Sequence, residues 1–188
     1  MKRRRKTQGR VPTVSSHAEQ MQEDGPYSGY AEPRKRPPFG VYAVLTVIFN
    51  AGYAGALVAA RRSGRELPAQ ISPQDVVLIG TASHKLSRLI SKDKITAFLR
   101  APFTEYEGRG GPAEVEERAR GTGVRRAIGE LLICPYCIGL WASGGFHVGL
   151  VYAPRTTRLV ASTFTALTIS DFLQIGYKAA EDRGLGGS

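Results

Sequence analysis

The chain of 188 residues has two cysteines, three histidines, two methionines and one tryptophan. Two cysteines cannot staple a disulfide-rich secreted scaffold. The histidines, His17, His84 and His147, are too scattered to complete a zinc site with one Cys pair, so no metal is expected. There is no Gly-X-Y period and no sustained heptad, which excludes collagen and coiled coil. Charge is absent locally rather than globally. Residues 39–60, FGVYAVLTVIFNAGYAGALVAA, carry none, whereas residues 1–38 carry nine Lys/Arg and four Asp/Glu. A soluble globular chain does not divide in this way.

The net charge of +10 rests on 19 Arg and 7 Lys. The run Lys2–Lys6 has no interleaved aromatics and no nucleic-acid module follows it, so a nucleic-acid partner is not expected. A bilayer with anionic headgroups suits it better, because basic residues beside a spanning helix gain roughly 1 kcal/mol each near such a surface. Arg34, Lys35 and Arg36 stand just before the uncharged run and are the candidate headgroup contacts. Residues 1–38 have no apolar period and read as a disordered basic tail. An apolar stretch that starts at Phe39 comes too late for a signal peptide.

Residues 39–60 are long enough, at 1.5 Å per residue, to cross a hydrocarbon core of roughly 30 Å. Residues 75–91 are harder to place. Apolar positions recur at helical spacing (Ile79, Ala82, Leu86, Leu89, Ile90), and the other face carries His84, Lys85 and Arg88. This is either a span with a polar face turned inward or an interfacial helix, and the span is preferred. Residues 92–126 read as a polar connector with a Gly-rich turn at residues 108–112. Residues 127–153 and 158–178 are apolar, with a link short enough to require an antiparallel helical hairpin. Residues 181–188 read as a flexible tail. The expected class is thus all-α, an integral membrane helical bundle with four spanning helices. Counting Lys/Arg on this topology puts 21 on the side of the termini and 5 on the other. The positive-inside rule then places both termini in the cytoplasm, in a multi-pass protein of the inner membrane.

Cys134-Pro135-Tyr136-Cys137 interrupts the third apolar segment. Proline lacks an N–H and clashes with the preceding turn, so it belongs at a helix start. A break near residue 134 is expected, with an interfacial amphipathic helix before it and a span from Pro135. Cys-Pro-Tyr-Cys is also the active-site tetrapeptide of glutaredoxins, and a thiolate is favoured at a helix N-terminus. The alternative is that both cysteines are small apolar residues in a packed helix. Combining topology with depth gathers His84, Lys85, Arg88, Glu130, Asp171 and Gln174 in the cytoplasmic leaflet. An unpaired charge there costs several kcal/mol. Asp171 is therefore expected to pair, with Arg88 first and Lys85 second.

The blocks Ser83–Ile90, Lys92–Thr96, Leu99–Thr104, Gly129–Leu132, Cys134–Trp141 and Asp171–Leu173 occur in the order found in a bacterial family, the domain of unknown function thirteen-sixty. The resemblance covers about residues 74–180, with three of the four spans. It implies a small bacterial integral membrane protein, and it carries no reaction. The first functional reading is a non-enzymatic scaffold or partner-binding component, with a membrane protein or a second copy as partner and no cofactor. The alternatives are a membrane thiol–disulfide oxidoreductase using Cys134 and Cys137, or a small-solute or ion-handling protein.

Overall fold

Helix α1, Phe39–Arg62, begins directly after Pro38. The computed structural model describes Tyr30 and residues 37–185. The expected contacts of Arg34, Lys35 and Arg36, and the disorder expected before Pro37, fall outside the described residues. α1 closes where Gly64 takes a positive φ of 74°, with Ser63 donating to the freed carbonyls of Ala59 and Ala60. Helix α2, Pro73–Ser91, opens with Pro73 in its first turn and Ser72 as its cap, the hydroxyl accepting from the Asp75 amide at 3.0 Å. A 3₁₀ turn, Lys94–Thr96, and a single-turn helix α3, Ala97–Arg100, lead into two strands. Helices α4, Gly123–Leu132, α5, Pro135–Tyr152, and α6, Pro154–Leu185, follow to the end of the described residues.

Long-range contacts fix the helix directions. Arg158 at the start of α6 grips Asp75 at the start of α2, with two hydrogen bonds of 2.8 Å. Further along, Thr165 donates to the Leu78 carbonyl and Lys85 meets Asp171 at 2.9 Å. α2 and α6 are therefore parallel. Tyr42 near the start of α1 bonds Glu130 just before α5, and Tyr152 at the end of α5 donates to the Ala56 carbonyl at 2.8 Å. α1 and α5 are therefore parallel, and antiparallel to the other pair. The bundle alternates in direction along the chain. Both ends of the four-helix run, Phe39 and the end of α6, lie on the side of the α2–α5 connector.

Two helices, Phe39–Arg62 and Pro154–Gly184, are long and apolar enough to cross a membrane by length and composition. α4 and α5 also pass when taken together, although they meet at 77°. α2 does not pass, for a reason visible in its packing. Ser83, Ser87 and Ser91, four residues apart, are buried, and Gly139 of α5 faces Ser87. α2 packs against both α5 and α6, and Ile79 and Ala82 join Phe146, Leu150 and Ala161 in the core. Small hydroxylic residues permit close helix approach, and a helix covered by neighbours does not need an apolar face all round.

The polar connector is not irregular, which corrects the all-α expectation. Thr104–Arg109 (β1) and Val115–Ala119 (β2) form an antiparallel hairpin, with Thr104 opposite Ala119, Arg109 opposite Val115 and a register shift between Tyr106 and Gly108. An isolated two-stranded hairpin is marginal in water. Here Arg100 holds it in place. Its guanidinium is fully buried, pairs with Glu117 of β2, and donates to the carbonyls of Ile90 at 2.6 Å and Asp93 at 3.1 Å. The Val115 amide donates to the Lys92 carbonyl and the Lys94 amide to Ala113, so the hairpin is tied to the end of α2.

α4 lies on the hairpin through Gly129. A Cβ at Gly129 would stand 2.5 Å from the Phe103 carbonyl oxygen and 3.0 Å from the Ala119 Cβ. Backbone cannot yield as a side-chain tip can. Gly129→Ala is thus expected to cost about 1–3 kcal/mol, read as a lower thermal midpoint in detergent. An unchanged midpoint would show that α4 does not pack this closely. α6 runs through to Leu185, beyond the end expected near residue 178 and into the segment expected to be a flexible tail.

Candidate functional site

The break in the third apolar segment places a cysteine at each end of one helical turn. Ile133 ends α4, Cys134 caps α5 with extended backbone, and Pro135 is the first residue of α5. Cys134 and Cys137 are joined as a disulfide with Cα atoms 5.3 Å apart. The Cys137 amide also donates to the Cys134 sulfur at 3.2 Å, so that sulfur serves as the side-chain cap of the helix. Cys137 and Tyr136 are exposed. Cys134 is half-buried.

The pair stands on the wall of a cleft of about 650 Å³ between α1 and the α4–α5 elbow. Its shape follows from how α1 packs. Toward the end of α5 the two helices touch: Phe49 meets Trp141 edge-on at 5.2 Å and leaves no room for a Cβ at Gly144. Toward the cysteines they splay apart, and Leu45, Phe49, Leu140 and Trp141 line an apolar interior. The polar end has Glu130 beside Cys134. Glu130 accepts from the Tyr42 hydroxyl and, on its other oxygen, from Arg126 at 2.8 Å, an i to i+4 pair on α4. Asn50 also lines the cleft, with its amide bonded to the Thr46 carbonyl one turn back on α1.

The polar residues grouped by depth fall into separate places. Lys85 and Asp171 meet at 2.9 Å, and Lys85 also reaches Asp93 at 3.7 Å. Arg88, expected on Asp171, instead pairs with Glu114 at the hairpin turn. The reason is axial position. Arg88 lies nearly one turn further toward the hairpin, where Glu114 approaches, while Lys85 lies level with Asp171. Glu130 belongs to the cleft. His84 is exposed, with its backbone carbonyl accepting from Ser87, and Gln174 is exposed and reaches Ser170 of its own helix at 3.4 Å.

Sequence reasoning missed Tyr42, Trp141, Asp75 and Arg100. Tyr42 and Glu130 are 88 positions apart, and no local pattern joins them. Asp75 and Arg158 could have been read as complementary charges at the same end of two parallel helices.

A curated relative, the sporulation protein YjcA of Bacillus subtilis, is 42% identical over 72 residues, which is 37% of this chain and 61% of that protein. The chain thus spans about three fifths of the length of that relative. No solved structure matches. The family model described as protein of unknown function, DUF1360, matches residues 78–177, more than half of the chain, and the chain belongs to that family.

Proposed function

We propose that this chain is a multi-pass membrane protein with four crossings and cytoplasmic termini, and that Cys134 and Cys137 are its working groups in dithiol–disulfide exchange. The observation that carries the chemistry is the placement of both sulfurs, joined across one turn at a helix start and lining an open cleft. Helix N-terminal amides stabilise a thiolate, and a second sulfur one turn away can resolve a mixed disulfide. The Cys137 amide that now meets the Cys134 sulfur is the hydrogen bond such a thiolate would keep. The scaffold reading has a support of its own, the ion-paired hairpin on the side of the bundle assigned to the cytoplasm. It leaves the exposed cysteine pair without a role. The name of the sporulation relative carries no chemistry.

The alternating helix directions and the excess of 21 over 5 Lys/Arg on the hairpin side support four crossings. They count α2 as a span shielded by α5 and α6. Reporter fusions after Gly64 and after Gly184 should therefore give opposite signals. Equal signals would overturn the topology. The chemistry is tested by alkylating thiols in cells before and after a reductant pulse. Wild type should shift by two alkyl groups, and Cys137→Ser should trap a mixed disulfide through Cys134. A wild-type pair locked in one state under both conditions, with nothing trapped, would return the chain to the scaffold reading.

A further inference from the structure

The cysteine pair is one wall of a cavity, and the other walls say what would share it. The cleft of about 650 Å³ is within the range of small-molecule sites. Leu45, Phe49, Leu140 and Trp141 make its interior apolar, and it is bounded on one side by α1, whose outer face is apolar and exposed at Val44, Val47 and Ile48. A ligand that matched these walls would be largely apolar and could enter from the lipid side of α1. At the polar end stand one carboxylate, Glu130, one phenol, Tyr42, and the two sulfurs. Such an end suits a head that carries oxygen atoms, set beside a cysteine pair able to exchange two electrons.

We propose that the cleft binds the ring of a membrane quinone, and that Cys134 and Cys137 exchange two electrons with it. The inference rests on the thiol–disulfide reading above and names its membrane-side partner. In the oxidising direction the Cys134 thiolate adds to a ring carbon. The Cys137 sulfur then attacks Cys134, the carbon–sulfur bond breaks, and its electron pair stays on the ring. One S–S bond forms, two S–H bonds are lost and two O–H bonds form, so dithiol plus quinone gives disulfide plus quinol. Glu130, which lines the same cleft as both sulfurs and is hydrogen-bonded to Tyr42 and Arg126, would carry the protons between sulfur and ring oxygen.

Trp141 is the chain's one tryptophan and it lines the cleft, so binding can be read apart from chemistry. Full-length protein in nanodiscs of defined lipid is titrated with a short-tailed ubiquinone while tryptophan fluorescence is followed. Saturable quenching is expected, and the cleft-filling variant Thr46→Phe should abolish saturation. Linear quenching alone, in wild type as in Thr46→Phe, means that lipid chains fill the cleft, and overturns the quinone proposal. In a second arm the reduced protein meets either the quinone or oxidised glutathione. One quinol per two thiols lost is expected, with Thr46→Phe slowing the quinone arm at least tenfold more than the glutathione arm. Oxidation by glutathione without oxidation by quinone would sink the quinone step and leave the thiol reading standing. Inertness in both arms would sink the thiol reading, and the quinone step with it.

Discussion

Replacing Arg100 with methionine should detach the hairpin from the bundle, at a cost of about 3–5 kcal/mol. The guanidinium has no exposed surface, and the Glu117 side chain that it pairs with is 6% exposed. Removing the cation leaves a carboxylate buried without its counter-charge. It also strips the donor from the Ile90 carbonyl in the last turn of α2, while the Asp93 carbonyl keeps the Thr96 amide and hydroxyl. An unsatisfied buried acceptor adds to the loss. Two readouts should move together in detergent: a lower thermal midpoint, and fast tryptic cleavage after Arg109 and Arg118, which the folded hairpin resists. The double variant Arg100→Met with Glu117→Leu should recover much of the midpoint, because an apolar pair of similar volume replaces a buried ion pair at little cost. A single variant with wild-type protease resistance would show that the hairpin is held by something other than this contact.

That hairpin is the clearest failure of sequence reasoning, and its cause is specific. TEYEGR and VEERA carry six charges in eleven residues, because the sheet has only two strands and is held to the helix ends largely by ion pairs and backbone hydrogen bonds. Thr104 and Val115 are the buried positions, too few to show a period of two. The same gap misdirected Arg88: its partner Glu114 lay inside a segment read only as a polar connector. Readings with a covalent cause fared differently. Pro135 lacks an amide hydrogen, so the helix break had to fall beside it, and the structure breaks at Ile133–Cys134. The uncharged run from Phe39 lies in a helix of 24 residues, Phe39–Arg62, as its length and composition led one to expect. The cleft was not legible at all. It arises from the splay between α1 and α5, which depends on Phe49 seating against Gly144, and nothing local in the sequence announces a contact across 95 positions.

Lys85 and Asp171 were expected only as the second choice of pair, and their geometry yields an asymmetric prediction. Lys85 is 15% exposed and lies between two carboxylates, Asp171 at 2.9 Å and Asp93 at 3.7 Å. Asp93 is itself 17% exposed, whereas Asp171 is 47% exposed and can turn toward water or headgroups. Asp171→Asn removes one of two anions and leaves the ammonium still paired. Its effect should be small, on the order of 1 kcal/mol, as for a half-exposed ion pair. Lys85→Met removes the shared cation and leaves two like charges beside each other, one of them largely buried. It should cost several-fold more, about 2–4 kcal/mol, because an uncompensated buried charge outweighs a lost surface pair. Adding Asp93→Asn to Lys85→Met should then restore most of the loss, while adding Asp171→Asn should restore less. Thermal midpoints of these four variants in one detergent decide the matter. Equal losses for Asp171→Asn and Lys85→Met, or a better rescue through Asp171 than through Asp93, would mean that the lysine serves α6 alone and does not join the end of α2 to it.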